Sequence, residues 1–401
     1  MTNHDPGRHL EYLRQSLSQD KKPIGFFLAA GCPLSVKDPA DGSPLIPDIK
    51  GLTAWISNEL VGNVDYQKLL SEIDLTDKSR ENIEDILSFL RGLLVVSMGG
   101  EVRGLSHSKL QDLEKIICKK LVDRINKELP EETTYHIICK WISSIDRDIP
   151  IEVFTTNYDL LMEEAFEGLE VPYFDGFVGS KRSFFDLRAI EDGKIPVHWT
   201  RLWKIHGSIN WFQDTLSGKS RVFRSSEISC YPHLSALIFP SHLKYEQSRK
   251  MPYLALIDQL NKFIRQKSSL LIICGYSFND EHLNDTIINA SKANPSSMIL
   301  ALLYGTYLNA DLTPHYPKAY KIAEERHNFN VWTDDRAIIG TSLGEWTKIK
   351  DIDDNVILQF VEDIPATPNK RLVKLGDFTK FTQFLKSLIG PEATKKLFGD
   401  D

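Results

Sequence analysis

The stretch SLLIICGYSFND, residues 269–280, decides the fold. Its first half, Ser269–Cys274, is a short and almost wholly apolar run, which predicts a strand buried in a parallel sheet. Gly275 then opens a polar turn, and Asp280 is a residue type that caps the helix predicted over Glu281–Ala290. In open parallel sheets ligands bind beyond the carboxyl ends of the strands, so the polar residues of this turn are candidate site residues.

Other parts of the chain repeat this arrangement of apolar strand, polar turn and helix. Further strands are predicted at Pro23–Ala30, Ile151–Thr156, Leu202–Ile205, Ala236–Phe239 and Met298–Leu303. Helical patterns at Leu160–Phe166 and Tyr253–Ile264 lie between them. The alternation predicts an α/β fold, a Rossmann-like doubly wound parallel sheet with crossover helices.

Two segments lie outside this alternation. Residues 52–146 have a helical pattern, and the apolar stripe that begins at Leu110 is expected to end at Pro130. Beyond Tyr304 the regularity weakens until Phe378, Phe381 and neighbouring apolar residues predict an amphipathic helix capped near Asp377. We therefore expect one α/β domain over 1–310 with a helical insertion at about 52–146, and a C-terminal extension over 311–401 that packs on the core.

Composition and charge exclude several classes of protein. The formal net charge of −7 is unfavourable for direct binding to nucleic acid. The polar start of the chain is unlike a secretory or transit signal, and the longest apolar stretch, Leu93–Met98, is too short to span a membrane. The five cysteines form no C-x-x-C pair. Reduced thiols, a cytoplasmic location and no thiolate zinc site are therefore expected.

Four segments that directly follow predicted strands carry the candidate chemistry. They are Ala29–Ser35, Thr155–Asp159, Lys204–Ser208 and Gly275–Asp280. Small residues in the first would let the backbone approach a pyrophosphate, and the others supply an amide, an imidazole and carboxylates. Each also has a purely structural interpretation: an ordinary glycine turn, an Asn-Asp helix cap, a structural histidine, or Asp280 as an N-cap.

Together and in this order, the segments resemble the sirtuin superfamily, and specifically its bacterial sirtuin-like branch found in NAD-depleting antiphage defence. Thr155, Asn157 and Asp159 match the Thr-x-Asn-x-Asp motif of that family. Its His-Gly motif is matched by His206 and Gly207, and its Gly-x-Ser element by Gly275 and Ser277. The first turn departs from the family pattern, with Ala29-Ala30-Gly31 in place of Gly-Ala-Gly. Residues 44–48, Pro-Leu-Ile-Pro-Asp, resemble the loop that lies near nicotinamide.

The resemblance implies that NAD⁺ is the substrate and that its nicotinamide-ribose bond is hydrolysed to nicotinamide and ADP-ribose. Asn157 would position the attacking water or ribose hydroxyl, and His206 would act as general base. The implied cofactor contacts are Ala29, Ala30, Gly31, Cys32, Pro47, Asp48, Thr156, Asp159, Gly275, Ser277 and Asp280. Asp159 would support the Asn157 loop. Deacetylating sirtuins carry two zinc-binding cysteine pairs between the last two motifs, whereas only Cys230 lies there. We therefore expect no zinc, and a zinc-free protein deacetylase is the weaker alternative.

The resemblance also implies a setting for the reaction. It points to depletion of NAD⁺ in abortive infection, in complex with a HerA-type hexameric ATPase. The helical segment 52–146 could form a homo-oligomer or regulator surface, although core packing is the simpler interpretation. Two alternatives of other classes stay open: a non-catalytic NAD-sensing module that gates a partner, and a nuclease subunit, although no clustered metal site is evident.

Overall fold

The computed structural model describes residues 2–76, 78–214, 221–226, 236–238, 252–348, 355–365, 367 and 369–390. Its helices, in chain order, are α1 (Pro6–Leu17), α2 (Ile49–Glu59), α3 (Val64–Ile73), α4 (Ile83–Val96), α5 (His107–Ile125), α6 (Thr134–Ser143), α7 (Leu161–Gly168), α8 (Leu187–Asp192), α9 (Tyr253–Arg265), α10 (Glu281–Ala293), α11 (Pro317–Glu325), α12 (Asn355–Leu358) and α13 (Phe378–Ser387). Its strands are β1 (Thr2–His4), β2 (Ile24–Leu28), β3 (Glu101–Val102), β4 (Leu105–Ser106), β5 (Glu152–Thr155), β6 (Tyr173–Phe174), β7 (Phe177–Val178), β8 (Ser183–Phe185), β9 (Thr200–Lys204), β10 (Gly207–Asp214), β11 (Arg221–Arg224), β12 (Ala236–Ile238), β13 (Leu270–Cys274), β14 (Met298–Leu302), β15 (Phe329–Trp332), β16 (Arg336–Ile339), β17 (Ser342–Trp346), β18 (Glu362–Asp363) and β19 (Arg371–Leu372).

A mostly parallel sheet forms the centre of the molecule. The strand order among the described residues is β1-β17-β16-β15-β14-β13-β2-β5-β9-β6. β13, the strand of the fold-deciding stretch, lies between β14 and β2 and pairs in parallel with both, Cys274 opposite Leu28. Among the described strands of this sheet, only β16 runs antiparallel to its neighbours, β15 and β17. The predicted α/β class with a parallel sheet is therefore confirmed.

Helices cover both faces of this sheet, which makes it doubly wound. Along β13, Leu270 and Ile272 pack in one core with α1 to α7 and α13, whereas Leu271 and Ile273 pack in a second core with α9 to α11. Side chains alternate between the two faces of a strand, so a strand buried on both sides must be apolar throughout. For this reason the sequence pattern predicts these strands.

The helical insertion consists of α2 to α6 and packs on the first face. The stripe predicted on α5 is buried at Leu110, Leu113, Ile117 and Leu121, whereas its member Ile116 is exposed. The predicted stop at Pro130 is wrong, because α5 ends at Ile125. The following chain leaves the helix instead, and the backbone N–H of Leu129 donates to the carboxylate of Glu164, 2.8 Å away. The α4–α5 connection also contains the β3–β4 hairpin, which the helical pattern did not predict.

Several elements were not predicted from the sequence. The polar start of the chain forms β1 and α1, and β1 pairs in parallel with β17. A second, antiparallel sheet consists of β12, β10, β11, β8 and β7, and its strand β10 begins at Gly207 of the His-Gly turn. Ala236–Phe239 was predicted as a strand of the parallel sheet, but Ala236–Ile238 pairs antiparallel with β10, and Phe239 lies outside the described residues. β15 to β17 extend the central sheet beyond residue 310, and the proposed division of the chain there stays a prediction.

The C-terminal helix α13 was predicted correctly. The Asp377 side chain accepts the backbone N–H of Thr379 at 2.8 Å and caps the helix. Phe381 is fully buried against Phe26 of β2, with ring centroids 6.1 Å apart. The start of α13 therefore lies close to the carboxyl edge of the sheet. Along the described part of the chain, every helix is too short or too polar to cross a lipid bilayer.

Candidate functional site

The four sequence segments meet in a cleft at the carboxyl ends of β2, β5, β9 and β13. The cleft has a volume of about 920 Å³. The residues of the predicted site that line it are Ala29, Ala30, Gly31, Pro47, Asp48, Thr156, Asn157, Asp159, His206, Gly275, Ser277 and Asp280. Parallel strands end at one edge of their sheet, which brings together turns that are far apart in sequence.

Two glycines cross at the floor of the cleft. The N–H of Gly31 donates to the carbonyl of Gly275 at 2.9 Å. A Cβ on Gly31 would lie 2.7 Å from the Gly275 Cα, and one on Gly275 would lie 2.6 Å from the Cys32 nitrogen. Gly275 also has a φ of +66°. Only glycine permits both this conformation and this approach, so the two turns present bare backbone to the cleft.

Cys32 is the exception among the predicted contact residues. Its side chain is fully buried below the turn, and its Sγ donates to the Cys274 carbonyl at 3.4 Å. Burial raises the pKa of this thiol, which stays neutral. The turn directs the Cys32 side chain into the core and away from the lining of the cleft, so the predicted cofactor contact of Cys32 stays a prediction for its backbone alone.

Asn157 joins the first two turns. Its side-chain Nδ2 donates to the carbonyl of Ala29 at 3.2 Å, and its backbone N–H donates to the Thr155 hydroxyl at 3.0 Å. The residue is 9% exposed. These bonds hold the side-chain amide at the floor of the cleft, directly beside the glycine crossing.

A buried charge network supports this loop from below. Lys204, at the end of β9 and 1% exposed, donates to the carbonyl of Asp159 and, at 2.8 Å, to the carboxylate of Glu163. The Asp159 carboxylate accepts the N–H of Leu161 at 3.1 Å. Burial raises the pKa of Asp159 to about 6, and the neighbouring Lys204 opposes that rise. The network connects the Asn157 loop to the strand that carries His206.

His206 follows β9 and contacts Asp280 at the start of α10. Its Nε2 is 3.3 Å from Oδ2 of Asp280, and both side chains are 13% exposed. The ring of Tyr158 faces the imidazole, with centroids 6.4 Å apart and an angle of 31° between the planes. Gly207, at φ +93°, turns the chain sharply into β10. An imidazole with a carboxylate partner on one nitrogen is suited to accept and hold a proton.

Asp280 combines the structural and the functional interpretations of its position. Its Oδ1 caps α10 by accepting the N–H of Leu283 at 3.3 Å, while its Oδ2 faces His206. The preceding turn is held by Asn284, whose Nδ2 donates to the carbonyl of Phe278 at 2.8 Å. Phe278 is buried with a φ of +60°, which is strained for a bulky residue. The turn is thus fixed in a conformation that directs Asp280 at the imidazole.

The sequence reasoning missed parts of the cleft wall. The helical insertion supplies Asn82 and Glu84 at the start of α4, and the segment Gly376–Thr379 supplies the start of α13. Lys37 and Lys50 also line the cleft. The capping pattern of α4 and α13 is visible in the sequence, since Asn82 and Asp377 are typical N-cap residues. Nothing in that pattern indicates that the two helices begin at this cleft.

The cleft fits a dinucleotide on physical grounds. Gly31 and Gly275 line the cleft, and their backbone together with the start of α10 suits pyrophosphate oxygens. Lys37 and Lys50 also line the cleft and carry positive charge, which suits an anionic ligand. Within the described ranges, no three His, Cys, Asp or Glu side chains are grouped so as to hold a metal ion, and Cys230 lies outside those ranges.

Comparison with known proteins gives a family match over part of the chain. Residues 151–323 match the family model described as SIR2-like domain. This range contains the Asn157, His206 and Gly275–Asp280 segments and excludes the first glycine turn. No curated protein matches the chain.

Three similar solved structures are Sir2 proteins of low sequence identity. One, from work on the mechanism and regulation of Sir2 enzymes, is 11% identical with a TM-score of 0.38, covering 79% of this chain and 97% of that one. A second, Sir2 with an inhibitor, 2′-O-acetyl-ADP-ribose and a deacetylated p53 peptide, is 10% identical with a TM-score of 0.34, at 79% and 97% coverage. A third, a Sir2 mutant with a p53 peptide and NAD, is 11% identical with a TM-score of 0.33, at 79% and 98% coverage.

Proposed function

We propose that this protein is an NAD⁺ hydrolase that cleaves the nicotinamide-ribose bond. The observation that carries the proposal is the convergence of Asn157 and His206 on one cleft whose floor is the Gly31–Gly275 crossing. The match of residues 151–323 to a SIR2-like domain supports an NAD-related function. A cleft that only bound a nucleotide would not need an amide and a carboxylate-paired imidazole at its floor.

The proposed reaction consumes one water molecule. As the bond from the ribose carbon to the nicotinamide nitrogen breaks, the ribose carbon gains oxocarbenium character and nicotinamide leaves as a neutral ring. Asn157, held by its bond to the Ala29 carbonyl, positions the water that attacks this carbon. His206 accepts the proton of that water, and the Asp280 carboxylate stabilises the imidazolium that forms. The products are nicotinamide, ADP-ribose and one proton.

The wider setting of the proposal rests on the resemblance of the motifs. We propose that the activity depletes NAD⁺ during abortive infection, in the cytoplasm, and that a homo-oligomer of this chain acts with a HerA-type ATPase. Large apolar side chains on the helical insertion are exposed, among them Val64 at 80% and Met98 at 79%. Exposed apolar surface of this kind suits contact with another protein. Restraint by a partner would also protect the cell from unregulated loss of NAD⁺.

The test is product analysis with the purified chain. NAD⁺ is incubated with the protein, alone and with a co-expressed ATPase, and nicotinamide, ADP-ribose and cyclic ADP-ribose are separated by chromatography. Release of nicotinamide in stoichiometric amount with ADP-ribose is expected. Saturable binding of NAD⁺ without cleavage under both conditions would favour the sensor. Metal-dependent cleavage of DNA without loss of NAD⁺ would favour the nuclease, and deacetylation of an acetyl-lysine peptide would favour a zinc-free deacetylase.

A further inference from the structure

The helical insertion makes a direct contact with the loop that carries Asn157. The hydroxyl of Tyr158 donates to Oε1 of Glu84, in the first turn of α4, at 3.3 Å, across 74 residues of sequence. Tyr158 follows Asn157 directly, and its ring faces the imidazole of His206. A single side chain therefore bonds to the insertion and lies beside the proposed general base.

The packing of the insertion fixes the position of Glu84. Asn82 caps α4 by accepting the N–H of Glu84 at 2.9 Å, and the N–H of Ile83 donates to the hydroxyl of Thr53 on α2 at 2.8 Å. Further along α4, Arg91 forms a 2.6 Å ion pair with Glu114 of α5. The backbone that carries Glu84 is consequently held in place by contacts within the insertion.

The backbone of Tyr158 is held independently of Glu84. Its carbonyl accepts the N–H of Ile209 at 3.0 Å and the hydroxyl of Ser208 at 3.4 Å. Burial raises the pKa of the Tyr158 phenol well above its ordinary value, and the Glu84 carboxylate raises it further, so the hydroxyl stays a proton donor. Loss of the Glu84 carboxylate would therefore remove this hydrogen bond from the phenol of Tyr158 and leave its loop in place.

We propose that Glu84 is a positioning residue, which holds the ring of Tyr158 so that the ring orients the imidazole of His206. The insertion then sets the rate of NAD⁺ cleavage through the position of α4. The consequence for catalysis rests on the proposed function, whereas the orientation of the imidazole does not. A ring with a fixed hydroxyl gives the imidazole one defined neighbour on the side of the Asn157 loop, and Asp280 fixes its Nε2.

The kinetic test uses Glu84→Ala, Tyr158→Phe, the double variant and Glu84→Gln. Displacement of a catalytic group lowers turnover without weakening binding, so each single variant should lose about tenfold in kcat with KM nearly unchanged. The double variant should lose no more than the single variants, because both remove one interaction. Glu84→Gln keeps an acceptor oxygen and should regain most of the activity.

The matched control is Asp65→Ala. Asp65 lies in the first turn of α3, another helix of the insertion, where it forms an exposed 3.0 Å ion pair with Lys109. This variant should keep the kcat of the wild type. Losses that multiply in the double variant, or a loss in Asp65→Ala equal to that in Glu84→Ala, would overturn the proposal.

A second readout does not depend on catalysis. The chain has 11 histidines, and ¹⁵N-histidine labelling with His206→Ala as the assignment control identifies the ring resonances of His206. These resonances should shift in Glu84→Ala and stay unchanged in Asp65→Ala. Unchanged His206 resonances in Glu84→Ala would overturn the proposal. Failure of the wild type to cleave NAD⁺ would instead reject the proposed function and leave the spectroscopic result to decide the positioning role.

Discussion

His206 and Asp280 contact each other in the wall of the cleft, with Nε2 of the imidazole 3.3 Å from Oδ2 of the carboxylate. The contact joins the end of β9 to the start of α10, two elements that the fold brings to the same edge of the sheet. Because the other carboxylate oxygen caps α10, the orientation of Asp280 is fixed before any substrate binds. The proposed general base therefore has a preorganised partner for its charged form.

Replacement of Asp280 by asparagine should separate its two roles. Asparagine caps helices about as well as aspartate, so the free energy of unfolding should change by less than about 0.5 kcal/mol. The lost charge no longer stabilises the imidazolium, and nicotinamide release should fall by about tenfold or more. Chemical denaturation and a nicotinamide assay measure the two effects.

The matched control for Asp280→Asn is Asp5→Asn. Asp5 caps α1 by accepting the N–H of Arg8 at 3.2 Å. This variant should keep both stability and activity. Equal activity of Asp280→Asn and the wild type would show that the carboxylate serves only as a cap.

Gly275→Ala should destabilise the fold and abolish NAD⁺ binding. The new methyl group would meet the Cys32 nitrogen at 2.6 Å, and the φ of +66° would strain any residue with a Cβ. We expect a loss of more than about 2 kcal/mol in the free energy of unfolding. Gly193→Ala is the control, since Gly193 has a φ of +62° and open space around it. The free energy of unfolding of Gly193→Ala should fall by only about 1 kcal/mol, and this variant should still bind NAD⁺. Equal effects of the two variants would contradict a steric requirement for glycine where the Gly31 and Gly275 turns meet.

Lys204→Met should be among the most destabilising single changes. It removes the cation beside the buried Glu163 and the donor to the Asp159 carbonyl, and an unpaired buried charge typically costs about 3–5 kcal/mol. The double variant Lys204→Met, Glu163→Leu should regain much of the lost free energy of unfolding, because it no longer contains the unpaired carboxylate. Lys194→Met is the control, because the Lys194–Asp192 pair is exposed and 3.8 Å long. It should change stability by less than about 1 kcal/mol, and a similarly small effect of Lys204→Met would refute the structural role of the network.

Stability should fall with rising pH through Glu152. Burial raises the pKa of this carboxyl from 4.5 to about 7, although Trp203 and Gln266 donate to it. A carboxyl with a raised pKa in the folded state binds its proton more tightly there, so its contribution is complete below pH 4.5 and is lost as the pH rises to about 7. As the pH rises from 5 to 8, the free energy of unfolding of Glu152→Gln should therefore increase by about 2 kcal/mol relative to that of the wild type.

Glu11→Gln is the control for this pH effect. Glu11 lies exposed on α1. Denaturation curves of Glu11→Gln, Glu152→Gln and the wild type are compared at pH 5 and at pH 8. A constant difference between Glu152→Gln and the wild type would contradict a raised pKa at Glu152.

The sequence was most informative where burial on both sides makes a strand wholly apolar. Ser269–Cys274 and Pro23–Ala30 stand out for that reason, and the rule for strand ends then locates Gly31, Asn157, His206 and Gly275 in one cleft. Short strands without this burial were not predicted. Thr2–His4 is largely exposed and is a strand only because β17 lies beside it, more than 300 residues away.

Side-chain direction and helix placement were the least predictable features of the site. Cys32 follows a glycine in a turn, and only the crossing with Gly275 determines that its thiol points into the core. Glu84 belongs to a helix whose periodicity is clear, yet periodicity does not determine where the helix begins in space. Tyr158 lies between two motif residues, and its contact with Glu84 depends on how the insertion packs.

The most direct test of catalysis in this cleft is NAD⁺ hydrolysis by the wild type, Asn157→Ala and His206→Ala, with His198→Ala as control. His198 is exposed and precedes β9. With folding verified by circular dichroism, nicotinamide release should fall about a hundredfold or more in both site variants and stay unchanged in the control. Wild-type rates in Asn157→Ala or His206→Ala, or no nicotinamide release by the wild type with or without an ATPase partner, would contradict it.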